Sequence, residues 1–366
     1  MSQVAEAAYW LRLVLTPGLG PVTLLELKER FGSPQAILQV LPTSQPQLKI
    51  PSMSRVQEYL ARSEAMGART LHWDEPEYPA QLLQIHDPPP LLFTLGDISH
   101  LAKEPLITIV GTRSASRAGL RFAQHLGESL GQTGLVTVSG LALGIDAAAH
   151  QGALKGGGAT VAVQANGLDI DYPAQNRELK QAIIQSGCVI TEYPPGTKPH
   201  PKRFPRRNRL LSGLSRGVVV VEAGQKSGSM ITARLALEQN RELFAVPGSV
   251  EDPRSRGVNQ LIRDGAQLVE EVQDILQALT WEGCVPQADT AKEAPTLAKE
   301  HYVQVLEKLP QAEGIIDTLL DGPMIPDALI RSCHLTPAEL SSTLLQLELL
   351  GVVSREAGGL VSLNAK

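Results

Sequence analysis

Residues 217–233 read GVVVVEAGQKSGSMITA, and this stretch decides the fold. Val218 to Val221 form an unbroken β-branched run, too apolar for a strand with one wet face. Such a strand belongs in a sheet covered on both sides. Glu222 ends the run, Ala223 and Gly224 turn the chain, and Lys226, Ser227, Gly228 and Ser229 open a helix. Strand, glycine turn and helix in that order make half of a parallel β-α-β unit.

The same alternation extends in both directions. LITIV (106–110), LVTVS (135–139), ATVAVQ (159–164), CVITE (188–192) and LFAVP (243–247) are short apolar runs separated by helical patterns. Residues 105–280 are therefore expected to form an α/β, Rossmann-like domain with a mostly parallel sheet. Ligands of such sheets bind outside the carboxyl ends of the strands. Four of those ends carry unusual residues. GTRSASRAG brings Gly111 and Arg113, GLALGIDAAAH brings Gly140 and Gly144, and AGQKSGSMITA brings Lys226 to Ser229. The fourth end leads into KPHPKRFPRRNR, Lys198 to Arg209. Glycines permit close backbone approach, and helix N-termini favour anions. Together the four ends predict an anion site.

The Lys198–Arg209 run carries six Lys or Arg in twelve residues, in a chain whose formal net charge is −5. So local a cluster repels itself and is better tolerated when an anion offsets it. Phe204 sits inside it, in a chain only 4% aromatic. Cations beside a ring suit single-stranded nucleic acid, with charge for phosphates and a face for a base. A solvated basic loop is the plainer alternative.

No GxGxxG dinucleotide fingerprint or GxxxxGK[ST] loop is present. Asp146 and His150, four apart on one helix, fit either an acid/base pair or structural hydrogen bonds. Glu192 and Glu222, at strand ends, fit either catalysis or the orienting of arginines and backbone groups. No catalytic residue, metal site or cofactor is assigned. Cys188, Cys284 and Cys333 have neither metal nor disulfide spacing and read as small apolar residues of a reducing cytoplasm. The N-terminus lacks the features of a signal peptide, and no apolar run reaches the ~18 residues of a membrane span.

The flanks differ in composition. Residues 1–70 read as a small helical domain with a Gly18–Gly20 turn before a helix at Val22. This suggests a helix-hairpin-helix (SAM-like) unit, either holding a phosphate or serving only for packing. Residues 71–104, with five prolines, read as an extended connector, and 281–300 as a linker. Residues 301–366 read as three helices and a two-strand wing, with Thr336-Pro337 starting the last helix, Gly351 stopping it and a hairpin turn at 357–359. That last helix has no Lys or Arg, and 301–366 carries four Lys/Arg against eight Asp/Glu. A winged helix so charged is not expected to read DNA.

SGLALGIDAAAHQGAL, VAVQANGLDIDYPAQN, TEYPPGTKPHPKRFPRRNR, EAGQKSGSMITA and AVPGS, in this order, resemble the bacterial DNA-processing protein A family (DprA, also called Smf). The resemblance runs from about Glu104 to Val269, and the flanking domains fit the family's three-part layout. It implies a cytoplasmic homodimer that binds single-stranded DNA in natural transformation, protects it and loads the recombinase RecA. It implies DNA contacts at Arg113, Lys202, Phe204, Arg207 and Asn208. Arg209 either joins them or pairs internally with Glu222. Gln164 and Ala165 replace an apolar residue and a glycine of the family pattern, which puts close backbone approach there in question. The reading is a binding protein, not an enzyme. The alternative is a nucleotide-binding or nucleoside-phosphate hydrolase-like Rossmann protein, with Glu222 as its acid.

Overall fold

The computed structural model describes residues 3–102 and 105–280, and in the C-terminal part 309, 312–320, 324, 326–333, 335–350, 352–355 and 361–363. The expected linker at 281–300, the helix stop at Gly351 and the turn at 357–359 lie outside the described residues. Met1–Cys284 and Val285–Lys366 form two separate compact units.

Four helices come first: α1 (Gln3–Val14), α2 (Pro21–Phe31), α3 (Pro34–Ser44) and α4 (Met53–Ala65). Pro21 and Pro34 stand in first turns, where a missing N–H leaves no bond unmade. The Ser33 and Ser52 hydroxyls cap α3 and α4 by accepting from the N–H groups of Ala36 and Arg55. The α/β part then runs β1 (Arg69–His72), α5 (Ala80–Leu83), β2 (Leu91–Gly96), β3 (Leu106–Val110), α6 (Arg117–Gln132), β4 (Val136–Ser139), α7 (Ile145–Lys155), β5 (Thr160–Val163) and α8 (Arg177–Ser186). It continues with β6 (Cys188–Thr191), α9 (Arg203–Leu214), β7 (Gly217–Val220), α10 (Gly228–Glu238), β8 (Glu242–Ala245), α11 (Arg256–Arg263), β9 (Gln267–Leu268) and α12 (Val272–Thr280).

The nine strands form one sheet in the order β1-β2-β6-β5-β4-β3-β7-β8-β9. All neighbours from β6 to β9 are parallel. Alternation along β3 explains why both faces are covered. Leu106 and Val110 enter one apolar core with α8 and α9, while Ile107 and Ile109 enter another with α6 and α7. From β3 the chain moves outward through β4, β5 and β6, then returns to β7 beside β3. This reversal opens a crevice at the carboxyl ends of β3 and β7.

One expectation is corrected. Residues 71–104 are not an extended connector: they hold the second half of β1 and all of β2, which add an antiparallel edge to the sheet through β6. The prolines misled because Pro88, Pro89 and Pro90 stand just before β2, where a missing donor is tolerated.

The C-terminal unit contains α13 (Glu313–Leu320), α14 (Pro326–Cys333), α15 (Pro337–Leu349) and the antiparallel strands β10 (Val353–Arg355) and β11 (Val361–Leu363). Thr336 caps α15 in a reciprocal box. Its hydroxyl accepts from the Glu339 N–H at 3.3 Å, and the Glu339 carboxylate accepts from the Thr336 N–H at 2.8 Å.

Candidate nucleic-acid interface

The crevice between β3 and β7 deepens into a pocket of about 330 Å³. Gly111, Arg113, Phe204, Arg207, Asn208, Ser227, Gly228 and Ser229 all line it, with Asp146 at its wall. Residues that follow four strands, β3, β4, β6 and β7, up to 118 positions apart in sequence (111 to 229), thus meet in one place. Three features set its electrostatic character.

The first is Arg207. It lies in the second turn of α9, is 5% exposed, and donates from Nη1 to the Val163 carbonyl at 2.5 Å. Its Nε has no protein acceptor among the described residues. Burial pulls the guanidinium down to about 10, opposed by the nearby Asp146 carboxylate. It therefore stays charged at neutral pH. The second is Arg113, exposed on the loop after β3, whose guanidinium lies 5.0 Å from the Phe204 ring centroid. The third is the start of α10. Ser227 makes no capping bond there, and its hydroxyl meets that of Ser229 at 2.9 Å. First-turn N–H groups have no partner within their own helix. A Cβ on Gly228 would meet nothing within 4 Å, so this end opens freely.

Gly140 acts differently from expectation. A Cβ there would lie 2.1 Å from Arg207 Nη1, so the missing side chain makes room for a guanidinium of the protein itself. Gly144, at φ +81°, starts α7 and packs against the carbonyls of Thr112 and Arg113, which fixes the Arg113 loop. Gly111 gives space to Ile145. Lys202 and Lys226 are exposed at the N-caps of α9 and just before α10, outside the pocket lining.

Arg209 is the residue that the structure removes from the site. It is 4% exposed and donates from Nε to Asp87 at 2.7 Å and from Nη2 to Glu192 at 2.8 Å. It does not pair with Glu222. Successive helical residues turn by about 100°, so Arg207 and Arg209 point in nearly opposite directions. The basic run was treated as one patch, whereas its second half is the start of a helix with two faces.

The open alternatives for the acidic residues resolve as structural bonds. Asp146 Oδ2 accepts the N–H groups of Gly140 and Ala142 at 3.2 and 3.4 Å. Burial pushes this carboxyl up, against the pull of Arg207. Glu222 accepts from the Ser116 hydroxyl at 2.5 Å and the Ser116 N–H at 2.9 Å, locking the start of α6. His150 does not face Asp146 in a hydrogen bond. Its Nδ1 meets the Thr160 hydroxyl at 2.7 Å, which in turn donates to the Thr137 carbonyl. Gln164 is 2% exposed, its N–H engages Ile190, and its side-chain amide has no partner among the described residues.

His150 carries a testable pH dependence. Burial first, then Arg207, pulls its imidazole down to about 3 from the ordinary 6.5. The unfolded chain therefore binds the extra proton between these values. Stability contributed by neutral His150 is complete above pH 6.5 and falls on acidification toward about 3, with a slope of at most ~1.4 kcal/mol per pH unit. Asp146 acts with the opposite sign, because its raised carboxyl is relieved by protonation. Urea unfolding of wild type and His150→Asn between pH 7 and about 5 separates the two. The wild type is expected to lose stability more steeply, and parallel curves would refute the assignment.

Sequence reasoning missed Tyr172. It stands on the loop after β5, 39% exposed, with its ring centroid 5.7 Å from Phe204. Its sequence signal was only one tyrosine in DIDYPAQN, a stretch with two aspartates and no Lys or Arg to mark a phosphate ligand. Among the described residues no cluster of His, Cys, Asp and Glu could hold a metal ion, and no helix is long and apolar enough to cross a membrane.

Fold and pocket together define a Rossmann-like protein whose crevice sets cations beside an aromatic face. Residues 69–280 match the DNA recombination-mediator protein A family, residues 304–359 the DprA winged helix domain, and residues 4–66 the DprA-like N-terminal HHH domain. The chain belongs to the DprA/Smf family of DNA recombination-mediator proteins. It is 32% identical to Protein Smf of Synechocystis over 97% of this chain and 98% of that one. It is 43% identical to the DNA processing protein DprA of Bacillus subtilis over 63% of this chain and 76% of that one. The crystal structure of Streptococcus pneumoniae DprA superposes with a TM-score of 0.61 at 33% identity, covering 75% of this chain and 95% of that one. A Helicobacter pylori DprA structure, described for its single-stranded DNA binding mode, superposes with a TM-score of 0.54 at 33% identity, covering 59% and 96%.

Proposed function

We propose that this chain binds single-stranded DNA without regard to sequence, through the pocket at the carboxyl edge of β3 and β7. The observation that carries the reading is the meeting of Arg113, Arg207, the α10 N-terminus and Phe204 in one pocket. A strand needs those parts together: fixed cations, backbone N–H groups and a ring for an unpaired base. The DNA binding described for the H. pylori relative supports it. In this reading the protein protects incoming strands in natural transformation and hands them to a RecA-type recombinase. It does so as a cytoplasmic homodimer. The Asp146 carboxylate, a group that repels phosphate, is buried and accepts from two backbone amides instead.

The hydrolase alternative loses its acid. Both Glu222 oxygens are already engaged by Ser116, so this carboxylate is bound to the fold rather than free for a substrate.

The test is binding of an oligo-dT strand and of a duplex of equal length across a salt series. Engagement of roughly three to five phosphates gives a log K against log salt slope of about −2 to −3.5 for the single strand, at ~0.7 per contact. The single strand is expected to bind more tightly at every salt concentration. Equal affinity for the duplex would refute the reading.

A further inference from the structure

A second cleft lies on the other side of Phe204. It is lined by Arg113, Gly140, Leu141, Leu143, Tyr172 and Pro173, with Phe204 as the shared wall. Arg113 is the one charged residue among these. Tyr172 and Leu143 stand 39% and 38% exposed at its lip.

The loop that presents Tyr172 is braced from beneath by buried polar groups. Lys180 is 3% exposed and donates to the Leu168 carbonyl at 2.6 Å and to Asp171 at 3.1 Å. Asn166, 1% exposed, donates to the carbonyls of Gly167 and Ile170. Asn176 reaches across to the opposite wall and donates to the carbonyls of Leu141 and Ala142. That wall is itself strained: Leu141 is held at φ +55°, a left-handed conformation that leucine avoids. Strained backbone persists where the surroundings fix it, and such positions collect at binding sites. A buried lysine and two asparagines thus fix a surface loop whose outward group is one ring.

We propose that this cleft is a base-binding subsite, in which an unpaired nucleobase stacks on Tyr172 next to the base carried by Phe204. The inference rests on the single-strand reading above and gives the strand a course. A phosphate occupies the Arg207 pocket, the chain crosses the Phe204–Arg113 wall, and the adjoining base lies against Tyr172 and Leu143. The ligand class is a nucleobase of an unpaired strand. The largely apolar lining favours stacking, which every base offers, over readout of one base edge.

The test compares full-length wild type, Tyr172→Ala and Tyr172→Phe. Each binds labelled oligo-dT of about twenty nucleotides and an abasic strand of equal length, followed by fluorescence anisotropy. Tyr172→Ala is expected to weaken dT binding about 5- to 100-fold, leaving abasic binding unchanged, while Tyr172→Phe stays within about twofold of wild type. A Tyr172→Ala protein that binds dT within about twofold of wild type overturns the subsite. So does an equal loss on both strands, which would make Tyr172 a prop for the phosphate pocket. Wild-type protein that fails to bind dT at all refutes the single-strand reading instead.

Discussion

Gly140→Ala is expected to remove most single-strand affinity while the protein stays folded. The backbone at Gly140 is not in the left-handed region, so alanine fits it without strain. The added Cβ would lie 2.1 Å from Arg207 Nη1 and 2.6 Å from Cζ, and the guanidinium must leave. Its bond to the Val163 carbonyl goes with it. Loss of a hydrogen-bonded charge contact is worth about 1.5–3 kcal/mol, or roughly 10- to 150-fold in affinity. The salt slope should flatten by about 0.7, one phosphate contact. Arg207→Ala should reproduce both effects, and the double variant should add little, because the two changes remove one contact. Titration of the three variants with oligo-dT checks this. Near-normal affinity in Gly140→Ala would mean that Arg207 serves the fold alone.

Arg209→Ala should do the reverse: it should weaken the fold and leave the salt slope alone. Removing Arg209 leaves Glu192, itself 7% exposed, without its main partner. Breaking a buried ion pair by deleting one side costs about 3–5 kcal/mol. Arg206, whose Nε lies 3.4 Å from Glu192 and whose side chain is 49% exposed, offsets part of that, so the lower end is expected. The urea midpoint should fall by the corresponding amount. The folded variant's log–log salt slope should match wild type. Unchanged stability with a flatter slope would place Arg209 on the strand after all.

The contrast between these two arginines shows what the sequence could and could not disclose. Strand periodicity and the glycine turns located the sheet and the strand ends that line the pocket, because a doubly covered strand has to be apolar throughout; the order of the strands and the reversal at β3 and β7 were not legible. The run RFPRRNR disclosed charge but not direction. Helix α9 begins at Arg203 with Pro205 in its first turn, where proline is tolerated. Once the helix is seen, spacing alone separates Arg207 from Arg209. Gly140 was legible as a place of close approach, but the approaching group belongs to the chain itself. Tyr172 could not be found, since only the folded loop brings it beside Phe204. The prolines at 88–90 concealed β2 because local conformation says nothing about which edge a strand will join.

Strands β1 and β2, the first after the helical region, extend the sheet beyond β6. Trp10, Leu11 and Leu24 share one continuous apolar core with Leu91, Phe93 and Ile190. No swivel is left between the N-terminal helices and the strands. Turning one against the other would open that core, which the ladders β1 to β2 and β2 to β6 tie into the sheet. The helices are therefore part of the instrument's frame. Whatever they touch is held at a set distance and angle from the pocket edge, so this part of the molecule acts as a ruler rather than a tether.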